Sequence, residues 1–201
     1  MKSKAGFSLT ELMVVLAMVL VVGGVSIPTI FRSVEQAKLK SAAVQIADIY
    51  QQARMRSAQD NTYHEVLVIP PGASPAQVCV DLNGDGQCGA NDPASVLPGE
   101  VRLISAGTPS VLDSTALGFY ALTNDTSITY NQQNMQEHAL AWNSRGLPCQ
   151  RTSTTSACSA VGWVQYLQLQ RTANDSIFAA VSVSPSGRVR IWNYNSGGGW
   201  N

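Results

Sequence analysis

Residues 7–27, FSLTELMVVLAMVLVVGGVSI, form an apolar run in which Glu11 is the single charge among 21 residues. At about 1.5 Å per residue, a helix of that length spans roughly 30 Å, the thickness of a bilayer's hydrocarbon core. The pattern then turns amphipathic. Ala37, Ala42, Ala43, Ile46, Ile49, Ala53 and Met55 recur near helical spacing, while Lys38, Lys40, Gln45, Asp48, Gln51 and Gln52 take the other faces. With Asp60-Asn61 as a stop, one helix is predicted from Phe7 to about residue 58. Pro28 lacks an amide donor, follows Gly23 and Gly24, and is predicted to kink or loosen that helix.

Beyond residue 58 the pattern changes to short β-type runs separated by Gly, Pro, Asn and Asp. Strands are predicted over 63–69, 76–81, 101–105, 127–131, 138–143, 163–170, 177–184 and 187–194, with Pro185-Ser186-Gly187 turning between the last two. Segments 106–118 and 150–160 read as loops, and 196–199 as a flexible tail. A sheet packed on the amphipathic half of the helix would bury both apolar faces. The expected class is α+β, a long N-terminal helix on an antiparallel sheet.

Charge changes this picture by its distribution, because the formal net charge is zero. Residues 1–56 carry +4, residues 57–144 carry −8 and residues 145–201 carry +4. An acidic middle is therefore flanked by basic ends. The four cysteines, Cys79, Cys88, Cys149 and Cys158, lack zinc-type spacing and allow three pairings. In an exported chain, two local disulfides are the simplest arrangement.

The N-terminal edge of the apolar run carries the sharpest signal. A secretory signal places its small-residue cleavage site after the apolar stretch. Here Lys2, Lys4 and the pair Ala5-Gly6 come before it, so cutting at Gly6–Phe7 leaves the helix on the mature chain. Glu11 is costly in lipid and marks a functional position. On a helix it stands one turn from the amine that cleavage would create on Phe7, where it can neutralise that amine in its own or a neighbouring chain.

Lys-Ala-Gly6-Phe7-Ser-Leu-Thr-Glu11-Leu-Met-Val-Val resembles the leader and mature N-terminus of type IV prepilins, a family of pilins and type II secretion pseudopilins. Pro28 stands where many pilins carry a proline. The resemblance implies a type IV pilin fold with a leader at 1–6, a transmembrane and assembly helix at 7–28 and a head at 29–201. Within that head the helix continues over 29–58 and a β-rich domain covers 59–201. It also implies cleavage after Gly6 by a prepilin peptidase, N-methylation of Phe7 and assembly through Glu11 with other pilin subunits. The chain would stand in the inner membrane, head in the periplasm, before entering a surface pilus or a periplasmic pseudopilus. Residues 141–148, AWNSRGLP, and 183–191, VSPSGRVRI, resemble the minor-pilin branch described as FimT/GspH-like.

Two stretches carry candidate chemistry. In 81–92, Asp81, Asn83 and Asp85 stand at positions one, three and five of a twelve-position calcium loop, Gly86 at six, the Gln87 carbonyl at seven and Asp92 at twelve. The same Asp/Asn/Gly composition also builds an exposed turn. In 187–192, strand alternation puts Arg188 and Arg190 on one face for consecutive phosphates, with Trp192 placed to stack on a base. The Gly-Arg-x-Arg pattern resembles that associated with double-stranded DNA binding in FimT-like pilins of transformable bacteria, which implies a role in DNA uptake. The competing reading is a solvated strand face on a pilus-initiating or GspH-like structural subunit. No H-E-x-x-H or G-x-S-x-G is present and the two histidines sit in strand-like runs, so no enzyme is expected.

Overall fold

The computed structural model describes residues 8–69, 75–104, 112, 114–118, 121–123, 140–150, 159–172, 175–195 and 199–201. Gly6, Phe7, the strand expected at 127–131 and Cys158 lie outside them. By its contacts the chain divides into two compact units, Met1–Ala37 and Lys38–Asn201.

Helix α1 runs Leu9–Asp60 and carries Pro28 without ending there. Its first described part is exposed, with Leu12, Met13, Leu16 and Leu20 all open on the isolated chain. Among the described residues, no helix is long and apolar enough to cross a membrane. The span expected over 7–28 includes Phe7 and the side chains of 25–29, which are not described. The remaining apolar run falls short of the roughly 20 residues that a span requires.

Within the second unit, α1 buries Leu39, Ala42, Ala43, Ile46, Ile49, Tyr50 and Ala53, a stripe spaced by three and four residues. Leu39 and Tyr50 replace two residues that the sequence pattern puts on this stripe. Met55 is 56% exposed and Ala37 is open. Each fully buried Leu or Ile contributes about 1.5–3 kcal/mol, so this stripe is what fixes the helix to the sheets.

The strands are β1 (His64–Ile69), β2 (Gln77–Asp81), β3 (Ala94–Val96), β4 (Val101–Ile104), β5 (Ala121–Thr123), β6 (Leu140–Trp142), β7 (Pro148–Gln150), β8 (Ser159–Ala160), β9 (Gly162–Thr172), β10 (Asp175–Val183), β11 (Val189–Asn195) and β12 (Gly199–Trp200). A short helix α2 (Ser114–Leu117) falls within the expected 106–118 loop, and β7 and β8 fall at the ends of the expected 150–160 loop. One sheet has the order β3-β2-β1-β6-β7-β8. The other has the order β12-β11-β10-β9-β4, with β5 parallel to β9. All the other ladders are antiparallel. Both sheets face the helix stripe through one core that includes Val66, Val78, Val80, Leu167, Val181 and Trp142.

The second sheet is covered on its other face too. Val164 and Tyr166 of β9, Ala180 of β10 and Trp192 of β11 pack with Leu112, and Ile104, Leu117 and Trp200 complete the cluster. The chain end folds back to reach it. Asn201 exchanges two backbone hydrogen bonds with Asn193, and the Trp200 ring lies 5.6 Å from Tyr166 and 5.2 Å from Tyr194.

Cys79 on β2 and Cys88 in the following loop form a disulfide, and Cys149 is disulfide-bonded as well. Closing a loop as short as 79–88 contributes about 2–3 kcal/mol by restricting the unfolded chain.

Candidate functional site

Two hairpin turns of the same construction meet at one end of the head. In the β10–β11 turn, Ser184 N–H donates to the Arg188 carbonyl (2.9 Å), Gly187 N–H donates to the Ser184 carbonyl (2.7 Å), and the Arg188 amide is capped by Ser184 Oγ (3.0 Å). In the β6–β7 turn, Asn143 N–H donates to the Leu147 carbonyl (3.0 Å), Gly146 N–H donates to the Asn143 carbonyl (2.8 Å), and the Leu147 amide is capped by Asn143 Oδ1 (3.1 Å). The fourth residue is glycine in both, at φ 83° for Gly187 and 69° for Gly146, a left-handed conformation that hairpins of this length use.

The glycines also allow the turns to touch. A β-carbon on Gly187 would stand 3.1 Å from the Gly146 carbonyl oxygen, 3.1 Å from Trp142 and 3.3 Å from the Arg54 guanidinium. Arg54, on the last turns of α1, donates from Nη1 to the Gly187 carbonyl (3.1 Å) and lies 5.9 Å from the centre of the Trp142 ring. Sequence reading did not find Arg54, because its hydrogen-bond partner Gly187 lies 133 positions away along the chain. The turn signatures N-x-x-G and S-x-x-G were available in the sequence.

Arg188 and Arg190 are exposed, as the alternation requires. Trp192 is not available for base stacking. It is 4% exposed, its Nε1 donates to Ser182 Oγ (2.8 Å), and it belongs to the second core. Its ring carries the Arg190 guanidinium instead, 3.7 Å from the ring centre, a cation–π contact that holds Arg190 over the sheet. Arg145, at the third position of the β6–β7 turn, is exposed too. Arg151 and the Arg171 side chain lie outside the described residues.

The acidic loop 81–92 leaves β2 at the same end of the first sheet as the β6–β7 turn, because Glu65 pairs with Asp81 and His64 with Trp142. Two strand spacings separate β2 from β6, roughly 10 Å, which is about a Debye length at 0.1 M salt. The loop closes on itself. Asp81 accepts from Gly84 N–H (2.7 Å) and Gly86 N–H (2.8 Å); Asp85 accepts from Gln87 N–H and Asn83 Nδ2, both at 2.8 Å; Asp92 accepts from Leu82 N–H (3.2 Å) and Gly89 N–H (2.7 Å). Asn83 Oδ1 accepts from Asp85 N–H (3.3 Å).

The calcium expectation gains no support here. Asp92 turns back onto its own loop, both oxygens of each aspartate accept hydrogen bonds within it, and among the described residues no three acidic, His or Cys side chains are grouped as a metal site. Nearby, buried His64 bridges the end of α1 to this loop, with Nε2 2.9 Å from Asp60 Oδ2 and Nδ1 3.3 Å from the Asp81 carbonyl oxygen. Burial pushes the Tyr50 phenol well above its usual range. Burial also raises that of Tyr166, while the Leu112 amide donating to its oxygen at 2.9 Å works against the rise.

At the other end of the chain, Ser8 and Glu11 form a reciprocal cap on α1. Ser8 N–H donates to Glu11 Oε2 (3.1 Å) and Glu11 N–H donates to Ser8 Oγ (3.4 Å). The S-x-x-E spacing announced this cap, and reading Glu11 through the cost of a charge in lipid passed over it.

No curated protein and no solved structure matches the chain. A family profile described as "Prokaryotic N-terminal methylation motif" matches residues 1–27. That motif implies processing by a prepilin peptidase and assembly with other pilin subunits. Together with a helix packed on antiparallel sheets, it identifies the chain by its N-terminus as carrying the prepilin signal of the type IV pilin and pseudopilin superfamily.

Proposed function

We propose that this pilin-type subunit is a minor pilin of a type IV pilus whose head binds double-stranded DNA during uptake, through Arg188 and Arg190. The observation that carries the reading is the β10–β11 hairpin. It presents two exposed guanidiniums that make no ion pair with a carboxylate among the described residues. Phosphate contacts of this kind give affinity without sequence preference and a steep salt dependence.

The acids at this end of the head, including the exposed Asp85, compete with the arginines for the local field. Asp81 and Asp92 are buried on amides, and Asp60 faces His64. Processing in this reading is cleavage after Gly6 with methylation of Phe7, which the intact mass of the mature chain tests directly.

The cation–π contact between Arg190 and Trp192 favours a second reading, in which Arg190 braces the sheet of a GspH-like pseudopilin or a pilus-initiating structural subunit. Mobility shifts at low salt, comparing the native chain with Arg188→Gln/Arg190→Gln, separate the two. A shift lost in the double variant supports DNA binding. Equal shifts for both proteins, or none for either, support the structural subunit.

A further inference from the structure

We infer that Arg145 is a third phosphate-binding residue, brought to Arg188 and Arg190 by the packing of the two like turns, with Arg54 holding those turns together. The inference rests on the DNA reading of the arginine hairpin and adds a residue from a different part of the chain. Its basis is the contact between the turns, where the Gly146 carbonyl lies 3.1 Å from the position of a Gly187 β-carbon. Arg145 precedes one side of that contact and Arg188 follows the other. At 3.8 Å per residue step, their α-carbons lie within roughly 15 Å, a span over which long arginine side chains reach neighbouring phosphates of one duplex.

Each turn is rigid for the same reason. The amide of its fifth residue is capped by the side chain of its first, and Arg145 N–H is itself held by Asn143 Oδ1 at 2.9 Å. The two arginines are thus presented from ordered backbone, which lowers the entropy lost on binding. Arg145 is exposed and has no carboxylate partner among the described residues. Arg54 plays a different part. It is half-buried and donates to the Gly187 carbonyl, so it is a positioning residue and its guanidinium is already committed.

The test uses the full chain in detergent micelles with a fluorescent double-stranded DNA of mixed sequence, titrated over a salt series. Arg145→Gln is expected to weaken binding several-fold and to lower the slope of log K against log salt by about 0.9, the signature of one lost phosphate contact. Arg145→Lys is expected to keep that slope. Lys40→Gln, which removes an exposed charge from α1, is expected to change neither quantity. If Arg145→Gln matches the native chain while Arg188→Gln/Arg190→Gln loses binding, the third-arginine inference is overturned and the DNA reading stands. If Lys40→Gln weakens binding as much as Arg145→Gln, net charge alone explains the loss and the inference is again overturned. If the native chain and the double variant bind alike, or neither binds, the DNA reading fails and takes the inference with it.

Discussion

Replacing Gly187 by alanine tests the junction of the two turns. At φ 83° an L-residue is strained by about 1–2 kcal/mol. The added methyl would also stand 3.1 Å from a backbone carbonyl and 3.1 Å from the buried Trp142 ring. Neither neighbour is the loose end of a flexible side chain, so relief requires the turns to part, at a cost of about 1–3 kcal/mol by analogy with overpacked cores. The total, about 2–5 kcal/mol, corresponds to a fall in Tm of about 5–15 °C for a unit of this size.

Gly84→Ala is the matched control. Gly84 has φ 73°, yet a β-carbon there meets nothing within 4 Å, so that variant carries the backbone strain alone. Urea titrations of the second compact unit, residues 38–201, should give Gly187→Ala the larger loss by about 1–3 kcal/mol, with m-values unchanged. Equal losses for the two alanines would refute the claim that close packing, beyond backbone conformation, requires glycine at 187.

Calcium at about 10 mM, ten-fold above the range of weak extracellular sites, should leave the melting curve of the head unchanged, because the loop carboxylates are satisfied by amides. A calcium-dependent rise in Tm would contradict that statement; separately, Asp81→Ala should lower stability by about 1–3 kcal/mol through the two amides it orphans, and an unchanged urea midpoint would contradict it. Tyr50 titrates higher in the folded chain than its ordinary value of 10.0, so above that value the unfolded chain loses this proton first. Stability should then fall with rising pH by at most about 1.4 kcal/mol per unit. Alkaline melts should show a shallower slope for Tyr50→Phe, and an identical slope would remove Tyr50 as the cause. Glu11→Ala removes a cap at the start of α1, far along the chain from the second unit. The melting of residues 38–201 cannot feel it, while incorporation of the full chain into filaments, read by pulldown of sheared filaments, should fall; normal incorporation would show that Glu11 is dispensable for assembly.

The helix, the long strands β9, β10 and β11, and the turn at 185–187 were legible because each carries its own local signal: helical spacing, alternation, and Pro-Ser-Gly. β3 and β7 were not, because three residues do not establish a period. Trp192 was misread for a related reason. Alternation places it correctly on the face with Arg190, but that face is covered by Leu112 and Trp200, which approach from opposite directions along the chain. The loop at 81–92 shows another limit. The spacing that arranges oxygens around an ion is also the spacing with which Asx side chains cap successive amides, so composition alone does not separate the two. Arg54 gave no signal at all, since an arginine late in an amphipathic helix is ordinary until its carbonyl partner is known.

The two-sided burial of the second sheet has a kinetic consequence. Backbone amides exchange with solvent only when their region opens, and the energy of opening scales with the contacts that must be broken. The central residues of β9 and β10, with the helix stripe on one face and the Tyr166 cluster on the other, can be released only by unfolding the whole unit. Their amides should therefore outlast those of β3 and β12 in deuterium exchange, each of which lies at an edge. The same hierarchy gives a mechanical division of labour: the sheet margins can open on short timescales while the central strands behind the capped turns remain closed.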